Sequence, residues 1–126
     1  MTKTINALLL ALLSVSGSAW AEWVKINEND SRLIYIDPQT IRKDGNLRKV
    51  WQITDLKQRF TNGELSRRSR LEFDCKNERF RYLSFSIHSG PMAGGTILSQ
   101  LVEDTKWADI PPRSSSETML QVVCAK

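Results

Sequence analysis

Ser66-Arg67-Arg68-Ser69-Arg70-Leu71-Glu72-Phe73-Asp74-Cys75 carries the alternation that decides the fold. Leu71, Phe73 and Cys75 share one parity, and Arg68, Arg70, Glu72 and Asp74 the other. An extended strand here therefore turns an apolar side inward and a charged side outward, with Cys75 toward the core. The other cysteine, Cys124, closes a segment of helical spacing in which Leu120, Val123 and Cys124 fall on one face with Met119 beside them. Ser114 and Glu117 stand at the capping-box spacing that opens such a helix. A helix that buries this face must lie on the sheet face that presents Cys75. That placement predicts a Cys75–Cys124 disulfide stapling helix to sheet.

The compartment needed for such a bond is signalled at the amino terminus. Met1-Thr2-Lys3-Thr4 precedes an apolar run from Ile5 to Val15, broken only by Asn6 and Ser14, and Ala19-Trp20-Ala21 supplies a small-x-small cleavage pattern. The run is far short of the roughly 20 residues that span a bilayer, so a leader cleaved after Ala21 is expected rather than a membrane span. No cysteine lies beside the cut, and no lipid anchor is expected there. Export to the periplasm, the cell surface or the medium favours disulfide formation, and two cysteines allow one pairing. Zinc needs more ligands than two cysteines and one histidine supply, and the Cys-x-x-Cys spacing of a redox pair is absent.

Residues 22–126 suffice for one domain around one core. Strands are expected at Glu22–Ile26, Arg32–Ile36, Leu47–Leu56, Ser66–Cys75, Arg79–His88 and Thr96–Val102, separated by turn residues. Asp37 is placed to cap a helical turn from Pro38 to Ile41. Leu47, Trp51 and Ile53 share a parity. The fifth strand slips: Phe80 and Tyr82 share one face and Leu83, Phe85 and Ile87 the other, as a bulge or two-sided cover would produce. The expected class is α+β, an antiparallel sheet of five to six strands with a C-terminal helix packed on one face and tied to it by the disulfide.

The chemistry such a chain can support is limited. A net charge of +4, from 18 basic and 14 acidic residues, is too mild to indicate nucleic acid, which export also disfavours. His88 is the sole histidine, so no zinc motif or facial triad is available, and no metal or cofactor is expected. His88 and Asp74 lack the nucleophile setting of a triad, and no enzyme is expected. Gly90-Pro91-Met92-Ala93-Gly94-Gly95 has no Gly-Lys-Ser/Thr ending and reads as a flexible connection, with Met92 an apolar tip available for contact. The basic set Arg67, Arg68, Arg70, Lys76, Arg79 and Arg81 is the most suggestive. Arg68 and Arg70 on one strand, with Arg79 and Arg81 on its neighbour, form a stripe suited to glycosaminoglycans or acidic protein segments. Against this, Glu72, Asp74 and Glu78 allow cross-strand ion pairs on a solvated face. Trp23, Trp51 and Trp107 are expected in core or rim packing, although a tryptophan exposed beside arginines marks interface hot spots.

Several runs together resemble one family. Tyr35-Ile36-Asp37-Pro38 with Ile41-Arg42, Leu71 to Cys75, Arg81-Tyr82-Leu83-Ser84-Phe85, Ser89-Gly90-Pro91-Met92, Trp107, Ile110-Pro111-Pro112 and Glu117 to Cys124 resemble, in order and spacing, the surface-adhesin protein E family of bacterial exported proteins. The resemblance spans nearly all of Glu22 to Lys126. It implies a disulfide-tied sheet and helix, and a non-enzymatic adhesin binding host extracellular-matrix or serum proteins. Combined with the basic stripe, the expected binding residues are Arg68, Arg70, Arg79, Arg81 and Met92. The missing lipid cysteine motivates a second reading, a periplasmic structural or inhibitory protein that binds another envelope protein. An open sheet edge also allows a homodimer.

Overall fold

The alternation at Ser66 to Asp74 does become a central strand, with neighbours hydrogen-bonded along both sides. The computed structural model describes residues 22–102 and 105–125, so the expected leader and its cut lie outside the described residues. In chain order the elements are β1 (Val24–Glu28), β2 (Arg32–Ile36), β3 (Arg42–Asp44), β4 (Leu47–Leu56), β5 (Ser66–Asp74), β6 (Arg79–His88), β7 (Ile97–Val102), β8 (Ala108–Asp109) and α1 (Ser115–Cys124). All pairings are antiparallel, in the order β1-β2-β4-β5-β6-β7, while β3 pairs with β4 and β8 with β6.

Eight strands among the described residues exceed the five to six expected. Five of the six on the main path stand within a residue of expectation, whereas β1 runs Val24–Glu28 instead of Glu22–Ile26 and takes in the polar Asn27 and Glu28. The extra two are Arg-Lys-Asp at β3 and Ala-Asp at β8, too short and polar to show a period. Leu83 is the extra residue of a bulge in β6, because Arg70 pairs with Ser84 whereas Leu71 pairs with Tyr82. The bulge resets the parity. Phe80, Tyr82, Phe85 and Ile87 consequently share one face rather than two.

That face carries α1. Ser114 caps the helix by accepting the Glu117 N–H at 3.2 Å. Met119, Leu120 and Val123 then pack on Ile34, Ile36, Val50, Leu71 and Phe73 to form the core. Cys75 and Cys124 are bonded with their Cα atoms 5.8 Å apart, fixing the end of α1 to the end of β5. Asp37 accepts the Gln39 N–H and starts the 3₁₀ turn Pro38–Thr40.

The connection Ser89–Thr96 folds back across the sheet face away from α1, and its 3₁₀ turn Pro91–Ala93 packs on β4 and β5. Two glycines permit the fold-back. A Cβ on Gly90 would meet the Gly94 carbonyl carbon at 2.8 Å, and one on Gly95, at φ +69°, would meet the Gly90 nitrogen at 2.7 Å. No helix among the described residues is long and apolar enough to cross a membrane.

Candidate functional site

Pairing in β4, β5 and β6 brings the four arginines singled out in the sequence onto one face, the one opposite α1. Arg68 pairs with Ile53 and Ser86, Arg70 with Trp51 and Ser84, Glu72 with Lys49 and Arg81, and Asp74 with Leu47 and Arg79. Trp51 therefore stands in the same face as the arginines. Trp107, in the segment entering β8, folds onto it as well. The face divides into two halves of different electrostatic character.

In the lower half the arginines are already engaged. Arg79 Nε donates to Asp74 Oδ2 at 2.9 Å, and Arg81 Nε donates to Glu72 Oε1 at the same distance. Both guanidiniums lie against the Trp107 ring, at 4.7 and 4.6 Å from its centroid. Glu72 and Asp74 are only 3% and 4% exposed, which corrects the expectation of a solvated face. Physically, the indole covers the ion pairs and the arginines neutralise the carboxylates beneath, so burying them carries no unpaired charge. This half is a clasp that holds the β7–β8 connection to the sheet. Glu78, expected to add a carboxylate to the face, instead occupies the exposed turn before β6 at φ +52°.

In the upper half two positive charges remain. The Arg68 and Arg70 guanidiniums lie 5.3 and 6.0 Å from the Trp51 ring centroid, and neither joins an ion pair among the described residues. Arg68 is exposed, and Arg70 and Trp51 are half-buried. Arg67, on the α1 side, pairs with Glu64 and covers Phe85. Of the six basic residues expected there, Arg67, Arg79 and Arg81 are ion-paired, Lys76 lies in the exposed turn after β5, and two remain beside an indole. Such a combination suits recognition of an anionic partner through charge-assisted hydrogen bonds and stacking.

Met92 is half-buried rather than an exposed tip. Its backbone, at φ +52°, is followed by Ala93 at φ +59°. Hydrogen bonds hold this strained pair: Met92 N donates to Asp55 Oδ1 and Ala93 N to Ser66 Oγ, each at 2.9 Å, while Ser66 Oγ donates to the Gly90 carbonyl at 2.6 Å. Arg59 Nη1 also donates to the Ser89 carbonyl. The loop is therefore tied down beside the two arginines.

His88 and Asp74 lie at opposite ends of the β5–β6 pair, where they pair with Ser66 and Arg79, so they cannot act together. His88 is 3% exposed, with Nε2 2.7 Å from Ser86 Oγ and Nδ1 lacking a partner among the described residues. Burial, aided by the nearby Arg68 charge, pushes its pKa below the usual 6.5. Asp74 is held at about 2, chiefly by the Asn77 side-chain hydrogen bond and further by Arg79, against a desolvation that opposes ionisation. Both shifts are downward, so both groups bind more protons unfolded than folded. Acid should weaken the fold in two steps, first as pH falls below about 6.5 through His88 and again between about 4 and 2 through Asp74. Melting temperature against pH is expected to lose the first step in His88→Gln and the second component in Asp74→Asn.

The sequence missed the division of the face, because opposite charges at alternate positions do not show which carboxylates become buried. The signal that was present lay in Trp107 and the Arg79-x-Arg81 spacing, two cations on one side of a strand and one ring to cover both. Among the described residues no cluster of His, Cys, Asp and Glu is arranged to hold a metal ion.

Comparison with known proteins bears on fold and family. The family model described as surface-adhesin protein E matches residues 23–125. Structures of protein E from Haemophilus influenzae are similar in fold. Crystal form II superposes with a TM-score of 0.65 at 13% identity, covering 86% of this chain and 91% of that one. The selenomethionine form gives 0.64 at 12% identity over 86% and 89%, and protein E from a non-typeable strain gives 0.61 at 13% over 86% and 78%. No curated protein sequence matches the chain significantly.

Proposed function

The chain belongs to the surface-adhesin protein E family, and from that membership we propose that it is a non-enzymatic exported module that binds host extracellular-matrix or serum proteins through the face opposite α1. The family match over residues 23–125 carries the reading. Arg68 and Arg70, in no ion pair among the described residues, lie beside Trp51 and support the choice of face, since they offer charge and stacking area. Met92 and its braced loop border the same surface. Arg79 and Arg81 serve mainly to shape it, through Trp107.

Residues 22–126 are expected to bind immobilised vitronectin, laminin or plasminogen saturably, with affinity falling as salt is raised, because exposed charges are screened over about 8 Å at physiological ionic strength. Absence of saturable binding to any of them would remove the reading. Protease accessibility on intact cells separates surface display from a periplasmic role toward another envelope protein. Edge strand β7 adds a further proposal. All six of its residues are exposed, and Ile97, Leu98, Leu101 and Val102 leave it apolar with no charge or proline to block pairing. A second copy pairing there gives a concentration-dependent dimer in sedimentation equilibrium, and a monomer at all concentrations would exclude it.

A further inference from the structure

Between β4 and β7, the side chains facing away from α1 form a channel. One row across the sheet reads Trp51, Arg70, Ser84, Val102, and the next Ile53, Arg68, Ser86, Gln100. The two serines make β6 the low line between taller neighbours. A trough of about 180 Å³ lies over them, walled by Trp51 and Arg68 on one side and by Gln100 and Val102 on the other.

We infer that this trough receives an extended acidic segment of a partner protein, with carboxylates turned toward Arg68 and apolar side chains toward Val102. The inference rests on the reading of the chain as a protein-binding module and names the chemistry that the module takes. Two inter-strand spacings of about 4.8 Å put the walls roughly 10 Å apart, room for one extended chain. Successive side chains of such a chain point to opposite sides, and here one side is cationic and the other apolar. Val102 is 89% exposed, so its burial is a gain waiting for a partner. Arg68 is exposed and lacks a carboxylate among the described residues, so a partner's carboxylate supplies the missing charge. A sulfated glycan fits less well. It presents many charges to few cations, since Arg79 and Arg81 are neutralised by Asp74 and Glu72, and it leaves the apolar wall unused.

The test is calorimetric titration of residues 22–126 with a capped hexapeptide of alternating glutamate and leucine, its lysine–leucine counterpart and a heparin hexasaccharide. The acidic peptide is expected to bind and the lysine peptide not to. Arg68→Glu should weaken binding at least tenfold, and Ser84→Phe, which fills the trough, should abolish it, while Lys43→Glu, on β3 and on the α1 side, leaves it unchanged. Thermal melts establish that each variant is folded, and Arg68→Glu, at an exposed position, decides alone if Ser84→Phe is not. No binding of the acidic peptide, heparin binding in its place, or equal peptide affinity in Arg68→Glu would overturn the inference. Vitronectin, laminin and plasminogen binding is measured in parallel: if it persists while the peptide fails, the trough is wrong and the adhesin reading stands. Peptide binding without host-protein binding leaves the trough standing and removes that reading.

Discussion

With Cys75 and Cys124 both replaced by alanine, the domain is expected to lose about 4 kcal/mol of stability and to melt roughly 15–30 °C lower. The bond joins residues 49 apart in sequence, so breaking it releases a long loop in the unfolded chain. Its position adds to the effect. Helix α1 has ten residues, too few to persist alone in water, and it depends on the sheet for its order. Cys124 is its last residue, and without the staple the carboxy-terminal turn has only Val123 and its neighbours to hold it. Thermal denaturation of the double variant, with far-ultraviolet circular dichroism following the helix, measures the loss. The single variants are expected to behave alike, since either removes the bond.

The second large effect is expected at Phe73→Ala, a loss of about 3–5 kcal/mol. Phe73 is 1% exposed in the α1-side core, and its ring stacks on Phe80 with centroids 6.0 Å apart. Removing it opens a cavity between two layers, and neither layer can close over it while the disulfide and the β5 ladder hold them in place. Tyr82 meets Phe80 edge-on in the same cluster but is 37% exposed. Tyr82→Ala should therefore cost much less. Urea unfolding compares the two, with the midpoint shifting and the denaturant slope unchanged if only native-state packing is affected.

The strand that opened the reading shows what a sequence displays. Alternation in Ser66 to Asp74 is enforced by a core on one side only, so Leu71, Phe73 and the cysteine could be assigned to the helix side from parity alone. The same held for Ser114 and Glu117, whose spacing is itself the hydrogen bond that starts α1. The slip at Leu83 allows a bulge or a two-sided cover, and the register shows the bulge: it adds one residue without changing composition, so parity alone does not show that Phe85 and Ile87 return to the face of Phe80 and Tyr82. The short strands β3 and β8 pair through the backbone, which leaves no side-chain period to read.

The face proposed for binding was legible in part. Arg68, Arg70, Arg79 and Arg81 could be placed together because neighbouring antiparallel strands share faces. Which arginines remain free depends on where Trp107 lands, and a residue in a connecting segment has no register to betray its position. The partial burial of Met92 was hidden for a related reason. A glycine-rich loop looks mobile in sequence, but Asp55 and Ser66 reach it from residues distant in the chain.

The central claim, that the arginine–tryptophan face opposite α1 is the binding surface, is tested most directly by charge reversal at two separated places. Arg68→Glu with Arg70→Glu, and Arg32→Glu with Lys43→Glu on the α1 side, change net charge equally and differ only in location. Affinity for an immobilised host protein that binds the wild-type domain is expected to fall at least tenfold in the first pair and to stay within twofold in the second, the scale of losing one charge-assisted hydrogen bond or more. Equal losses in both pairs, or no loss in the first, would contradict it.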